Sequence, residues 1–466
     1  MPDGSSGATS SAGASGANPT GGVTLTLTPL LADVSFSGRI QFVAMITGTS
    51  NTKATWSIQE GASGGTISDS GAYSAPATAG MFHIIATSQA DSTKTATATV
   101  SVHAPQGTPP TLQPGVWTNI SPPMEPFGQI GENQTLAMGF ALDPGNPYTL
   151  YECASAFNST LFTVIPGGLW RTTDGGSNWE RVGTFDAPTM VAVDPGDSKH
   201  LYVADGVRGN TIGFWVSTDA GATWTKPDAF TAAGMDPTVE TQDTYSMAVD
   251  PSNFNHVLLS FHYGWTANGT YTSTAGIFET TDGGTTFTIH QPDSRWGGLG
   301  YFVSFLSDPA HNAGDGNTWL LGTQASGYWK TSDAGKTWKQ VATQQMPHEG
   351  SHVFYASDGT LYSGGFGHPM RSTDNGDTFT VLDQTPNGSY CGVLGDGTTL
   401  YIQQNGFTNP DAPYMTSPES DGTTWTTFGD GSQKFTGGPF QGGYDPVNKI
   451  LYASMYESGL WALKPN

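Results

Sequence analysis

From Val23 to Val102 apolar and polar positions alternate with period two, in the runs VTLTLTP, GRIQFVAMI, ATWSI, MFHIIATS and TATATVSV, separated by Gly, Ser, Asn and Asp clusters. Period two puts alternate side chains on opposite faces of a strand, so this region is expected to fold as a small β-sandwich with Trp56 in its core. Beyond the prolines Pro105, Pro109, Pro110 and Pro114 the pattern changes to seven strand-turn-strand units. These are Ala141 to Tyr151, Ala192 to Tyr202, Ala248 to Leu259, Leu306 to Leu321, Tyr355 to Tyr362, Leu394 to Tyr401 and Gly443 to Tyr452. An apolar pair such as Leu169-Trp170, Tyr328-Trp329 or Leu460-Trp461 follows each unit and opens a third strand.

A second repeat interleaves with the first. Thr172 to Trp179 (TTDGGSNW) recurs as Ser217 to Trp224, Thr280 to Phe287, Thr331 to Trp338 and Ser372 to Phe379, with a worn copy at Ser417 to Trp425. The rule is a hydroxyl residue, Asp two later, Gly four later and an aromatic seven later. The carboxylate can accept bonds from turn N–H groups and from the hydroxyl, Gly supplies positive φ, and the aromatic re-enters the core as a fourth strand begins. Four strands recurring roughly every 40 to 60 residues predict propeller blades.

The bookkeeping predicts closure. The last unit ends at Asn466 after its third strand, and Val116-Trp117-Thr118-Asn119-Ile120 matches the fourth-strand segment Asn178 to Val182. A strand from the opposite terminus would seal the ring and hide its sheet edges. The expected fold is therefore all-β: a seven-bladed β-propeller over 115–466, preceded by a flexible Gly/Ser/Ala/Thr-rich tether (1–22), a β-sandwich (23–102) and a Pro-rich linker (103–114).

The repeated octapeptide resembles the Asp-box, or BNR, repeat of sialidases, xyloglucanases and sortilin-like proteins. In those families the box ties a turn away from the active site, which implies a structural role for Asp174, Asp219, Asp282, Asp333 and Asp374. The segment Ala54 to Ile58 with Gly71 to Pro76 resembles bacterial Ig-like domains, which implies a spacer.

Composition narrows the partners. A net charge of −23 and a pI near 4.5, with no cluster of Lys and Arg, argue against nucleic acid and anionic membrane surfaces. No apolar run reaches membrane-spanning length. Cys153 and Cys391 are too few for a disulfide framework or zinc site and pair only if the fold joins them. The tether and the acidic, lysine-poor surface suggest an extracellular, cell-surface or periplasmic bacterial protein whose signal or lipoprotein sequence has been removed. No cofactor is expected. Structural Ca²⁺ at the Asp turns stays open, although it would need more oxygen donors per loop.

Candidate chemistry collects in loops joining second to third strands and successive blades, which share the face opposite the Asp turns. His262, Tyr263, Glu240, Asp243, His348 and His368 are the candidate catalytic groups; Trp265, Arg295, Trp296, His352 and Glu349 are the candidate substrate contacts. Flat aromatics suit sugar C–H faces, histidines move protons near neutral pH, and paired carboxylates can cleave a glycosidic bond. His256 reads as a turn or packing residue.

Six arginines are too few to place a sialidase triad near the funnel, and the early xyloglucanase segment is missing. Seven-bladed polysaccharide lyases are matched by His262, Tyr263 and Arg295 in residue type alone. The expected function is an exported, monomeric glycoside hydrolase acting on a polysaccharide in the funnel. A lyase acting on a uronate, and a non-catalytic glycan- or protein-binding propeller, are the alternatives.

Overall fold

The computed structural model describes residues 22–104, 107–123, 133–158, 163–206, 211–232, 240–266, 271–272, 276–297, 300–308, 311, 314–348, 350–404, 412–433, 439–455 and 458–466. Within these, 33, 133–138, 156–158, 163–166, 231–232, 240–243, 262–266 and 271–272 are described through their backbone alone.

Residues before the linker form three small sheets. The largest joins Leu31–Ser35, Thr95–His103, Gly80–Ser88 and Ala54–Ile58 in that spatial order. Period two produces the expected interior: Val34, Phe42, Tyr73, Ile84, Ala86, Ala98 and Val100 pack together. Tyr73, wholly buried with its hydroxyl donating to Gly64 O at 2.7 Å, takes the central place expected for Trp56. Trp56 is half-buried and packs against that core from its margin.

Eight antiparallel sheets follow among the described residues: the two-stranded pair of Gly365–Gly367 with Gly388–Tyr390, and seven of three or more strands that give a fold of the β-propeller type. Their first strands are Asn133–Leu142 (sheet I), Pro188–Asp194 (II), Glu240–Asp250 (III), Tyr301–Phe305 (IV), Val353–Tyr355 (V), Leu394–Gly395 (VI) and Pro439–Asp445 (VII). Within sheets I to VI strands pair in sequence order, the meander that short turns impose. Sheet VII takes its outer strand from the other end of the propeller, Trp117–Asn119 pairing antiparallel with Gly459–Leu463 in the register Trp117↔Leu463. Apolar clusters between adjacent sheets hold the ring. One such cluster joins Tyr151, Cys153 and Leu169 of sheet I to Val191, Leu201 and Val203 of sheet II.

The repeated octapeptides join third to fourth strands. Asp174 Oδ1 accepts from Thr172 Oγ1 and Asn178 N, each at 2.8 Å, while Oδ2 accepts from Asn178 Nδ2 at 2.7 Å. Gly176 N donates to Thr172 Oγ1 at 3.0 Å, so hydroxyl and carboxylate together satisfy the turn. Asp219, Asp282, Asp333 and Asp374 repeat the bond from the N–H four residues on. The backbone needs positive φ at two consecutive positions, and the first holds Ala220 (φ 59), Ala334 (φ 52) and Asn375 (φ 52) in three turns.

A further link crosses between sheets. The residue before the turn hydroxyl reaches the next sheet's turn: Arg171 Nη1 donates to Ala220 O at 2.8 Å, Lys330 Nζ to Asn375 O at 2.8 Å, and Arg371 Nη1 to Asp421 O at 3.0 Å. Sheet III carries Glu279 at that position. Its carboxylate accepts from His256 Nε2 at 2.9 Å and lies 2.8 Å from His290 Nε2, while His256 Nδ1 lies 3.3 Å from Asp250. His256 is thus the centre of a buried ionic network.

The N-terminal sheets are hydrogen-bonded to two of the first-to-second-strand turns. Ser35 N donates to Gly145 O and Gln41 N to Pro195 O, both at 2.9 Å. The linker lies against the first Asp turn, where Ser177 Oγ donates to Thr108 O at 2.8 Å. The Asp turns and the N-terminal sheets therefore occupy one face, leaving the second-to-third-strand loops on the other. Cys153 and Cys391 are both buried and are not joined in a disulfide. Among the described residues no helix is long and apolar enough to cross a membrane.

Candidate functional site

First strands line the axis of a propeller, and here they close it. Tyr245 of sheet III and Phe440 of sheet VII meet edge to face, centroids 6.3 Å apart at 82°. His352 lies beside them, its Nδ1 3.1 Å from Phe440 O and its Nε2 3.2 Å from Val393 O. Burial pulls this imidazole below its usual pKa, against the two carbonyls. With Met190, Ser246, Tyr301 and Ser351 these groups enclose about 30 Å³, room for a water molecule and not for a sugar. His352, expected to touch substrate, is instead a bridge between sheets V, VI and VII.

Trp296 also departs from expectation. The loop between sheets III and IV folds as a short 3-10 turn, Ser294–Trp296, whose entry is capped by Asp293 accepting from Arg295 N. That turn drives the indole inward, fully buried, edge-on to Tyr301 and Trp338 at 5.5 and 5.1 Å. A sugar cannot stack on it. Arg295 points outward, but Asp293 holds its guanidinium at 2.5 Å and the face of Trp329 lies 4.9 Å away. Its contacts are therefore with the third strand of sheet IV, away from the axis.

His348 is exposed, and its carbonyl accepts from Gln324 Nε2 at 3.1 Å. His368 is half-buried, with Nδ1 3.1 Å from Thr385 Oγ1. Glu349 lies outside the described residues, as do the side chains of Glu240, Asp243, His262, Tyr263 and Trp265. The backbone of that group is described. Glu240–Asp250 pairs with Asn253–Thr266 in the register Glu240↔Thr266, Thr241↔Trp265 and Gln242↔Gly264, then shifts before Thr244↔Phe261. The two candidate carboxylates thus sit on a strand paired with the one carrying His262, Tyr263 and Trp265. Tyr271–Thr272 adds to the same ribbon through Trp265↔Tyr271.

Sequence reading passed over three residues. Glu152 is sealed in sheet I with Oε2 lacking a hydrogen-bond partner among the described residues, and burial pushes its carboxyl up to about 8. Asp205 ends the second strand of sheet II; burial, countered by Thr211 and by Ala187 N at 2.9 Å, leaves it at about 7. Neither reaches the surface, so neither touches a glycan. A carboxylate inside an apolar run (LYECASAF, HLYVADG) was the available signal. Phe366, more than half exposed at 56%, sits on Gly365–Gly367, which pairs with Gly388–Tyr390 on the open face. Its phenyl ring offers the flat surface that Trp296 does not.

The chain is an all-β protein of the propeller type. No protein-family model matches it and no curated protein does. Among solved structures it is similar to YCF48 from Cyanidioschyzon merolae, at 11% identity and TM-score 0.46, covering 75% of this chain and 98% of that one. An ancestral GH74 enzyme is similar at 16% identity and TM-score 0.48, covering 72% and 46%. The extracellular domain of a putative one component system from B. thetaiotaomicron is similar at 12% and 0.48, covering 82% and 46%. The chain spans under half the length of these last two, and likenesses of this size carry no functional argument.

Proposed function

We propose that this protein is an exported glycoside hydrolase that takes a polysaccharide across the open face of a seven-bladed ring, over sheet III and its neighbours. In this reading the sandwich, 23–102, is an Ig-like spacer and the ring spans 115–466. The observation that carries the proposal is the pairing of Glu240–Asp250 with Asn253–Thr266. It sets two carboxylates beside a strand bearing His, Tyr and Trp, the residue types needed for acid–base cleavage and sugar stacking. The closed axis argues for a substrate lying over the face. Elimination is less supported, because Asp293 already engages the guanidinium a uronate would need.

A second reading is a glycan-binding propeller without chemistry. It is favoured by the described histidines of the face, since the ring nitrogens of His352 face backbone carbonyls and His368 faces a threonine hydroxyl. A panel of polysaccharides, read for new reducing ends and for unsaturated uronate absorbance, tests both. Hydrolysis expects reducing ends without absorbance, with Glu240→Gln and Asp243→Asn each lowering turnover by about 10²-fold. Absorbance would establish elimination, and binding without cleavage would establish the second reading.

A further inference from the structure

Phe366 stands on the open face, 56% exposed, in a propeller whose other large aromatic side chains are mostly buried. Gly365–Gly367 pairs with Gly388–Tyr390 in the register Phe366↔Ser389, and Phe366 N donates to Gln345 O at 2.8 Å, so the residue is fixed from two sides. Gly365 and Gly367 flank it, and the neighbouring positions of its strand therefore place no side chain over the ring. A lone exposed aromatic is ordinary on a protein surface. Its surroundings here are not.

Three glutamines of the adjoining loops are anchored beside it by their amide nitrogens. Gln344 Nε2 donates to Phe366 O and, at 3.4 Å, to His368 O. Gln345 Nε2 donates to Ala325 O at 3.3 Å, and Gln324 Nε2 to His348 O at 3.1 Å. Each Oε1 is left without a hydrogen-bond partner among the described residues, and Gln324 and Gln345 keep an N–H as well. Gln324 and Gln344 are half-buried with these oxygens open to solvent, and Gln345 is exposed. Such amides are neutral donors and acceptors already set in direction, so a ligand hydroxyl meets them at little further cost in side-chain order.

Charge points the same way. Loops 324–326, 343–352, 364–369, 382–393 and 403–404, which build this sector, contain no Lys or Arg, whereas Glu349 and Asp383 belong to them. Arg295, in the loop before sheet IV, is engaged by Asp293. In a chain of net charge −23 a polyanion would meet repulsion in this sector, and an uncharged glycan would not.

We propose that Phe366 with Gln324, Gln344 and Gln345 forms a subsite for an uncharged pyranose, so that the ligand of the open face is a neutral polysaccharide. The phenyl ring takes the C–H face of the sugar and the amides take its hydroxyls. Sheet V stands two places from sheet III in chain order, so this subsite holds the polymer away from the bond to be cut. The assignment rests on the open-face reading and adds to it the charge class of the ligand and a second point of attachment.

Affinity electrophoresis of the full chain in gels containing hydroxyethylcellulose, galactomannan, arabinoxylan or polygalacturonate tests the proposal. At least one neutral polymer should retard the protein, and polygalacturonate should not. Phe366→Ala should weaken the neutral binding about five- to tenfold and Gln345→Ala about two- to tenfold, with melting unchanged, while Phe366→Trp keeps the affinity. Where the bound polymer is cleaved, Phe366→Ala should raise KM and leave kcat within about twofold. Undiminished binding in Phe366→Ala, or a preference for polygalacturonate, would overturn the subsite and leave the open-face reading in place. Retardation by none of the polymers would overturn both.

Discussion

Tyr245 and Phe440 meet across the propeller axis, rings 6.3 Å apart and nearly perpendicular, although one belongs to sheet III and the other to sheet VII. The contact turns what would be a channel into a plug, with His352 hydrogen-bonding distance from the Phe440 carbonyl. Any ligand of the open face therefore rests on the plug and does not pass through it.

Removing the plug should cost stability and leave surface chemistry alone. Phe440 is 7% exposed, and Phe440→Ala should lower stability by about 3 to 5 kcal/mol, the transfer and cavity cost of a core phenylalanine. Glycan affinity should stay within about twofold once the folded fraction is accounted for. Denaturant melts give the first quantity and titration the second; a larger affinity loss would mean the ligand enters the axis.

The ionic network of sheet III makes stability depend on pH from both sides. Burial opposes its charge, but bonds to Asp250 and Glu279 push His256 up to about 9, and, against the same burial, His256 and His290 pull Glu279 down to about 2. The raised histidine contributes fully below 6.5 and is lost as pH climbs through about 9. The lowered carboxyl contributes above 4.5 and is lost as pH falls through about 2. Melting temperature should thus hold up between these limits and decline beyond each. Glu279→Gln should lower the plateau and shrink the alkaline decline; an unchanged profile would remove the network from the account.

Asp174 should be structural. It is 5% exposed and accepts three bonds from its own turn. Asp174→Ala orphans those donors and should cost about 1 to 3 kcal/mol, with the specific activity of the folded fraction unchanged. Activity lost at constant melting temperature would bring this turn into the site.

The turns also contain a correctable strain. Ala334 sits at φ 52 and Ala220 at φ 59, where a Cβ crowds the backbone. Ala334→Gly and Ala220→Gly should each stabilise by about 0.5 to 1 kcal/mol after the greater freedom of glycine in the unfolded chain is deducted. The double variant should show the sum, since distant sites add. A drop in melting temperature would show that these alanine methyls make contacts worth more than the strain.

Local signals were readable from the sequence because their causes are local. Thr172, Asp174, Gly176 and Asn178 satisfy one another within a single turn, and alternation in Gly80–Ser88 or Thr95–His103 needs only a strand with one buried face. The terminal strand was readable too, because a repeat that ends one strand short names its missing partner. Tertiary structure alone decided what each loop residue faces. Trp296 is buried because Tyr301 and Trp338 close over it, and His352 is bound at the axis by carbonyls from two later sheets. Neither relation has a period along the chain. Hydrogen bonds within a turn repeat with the turn, whereas burial depends on which distant surfaces arrive, and no spacing in the sequence records that.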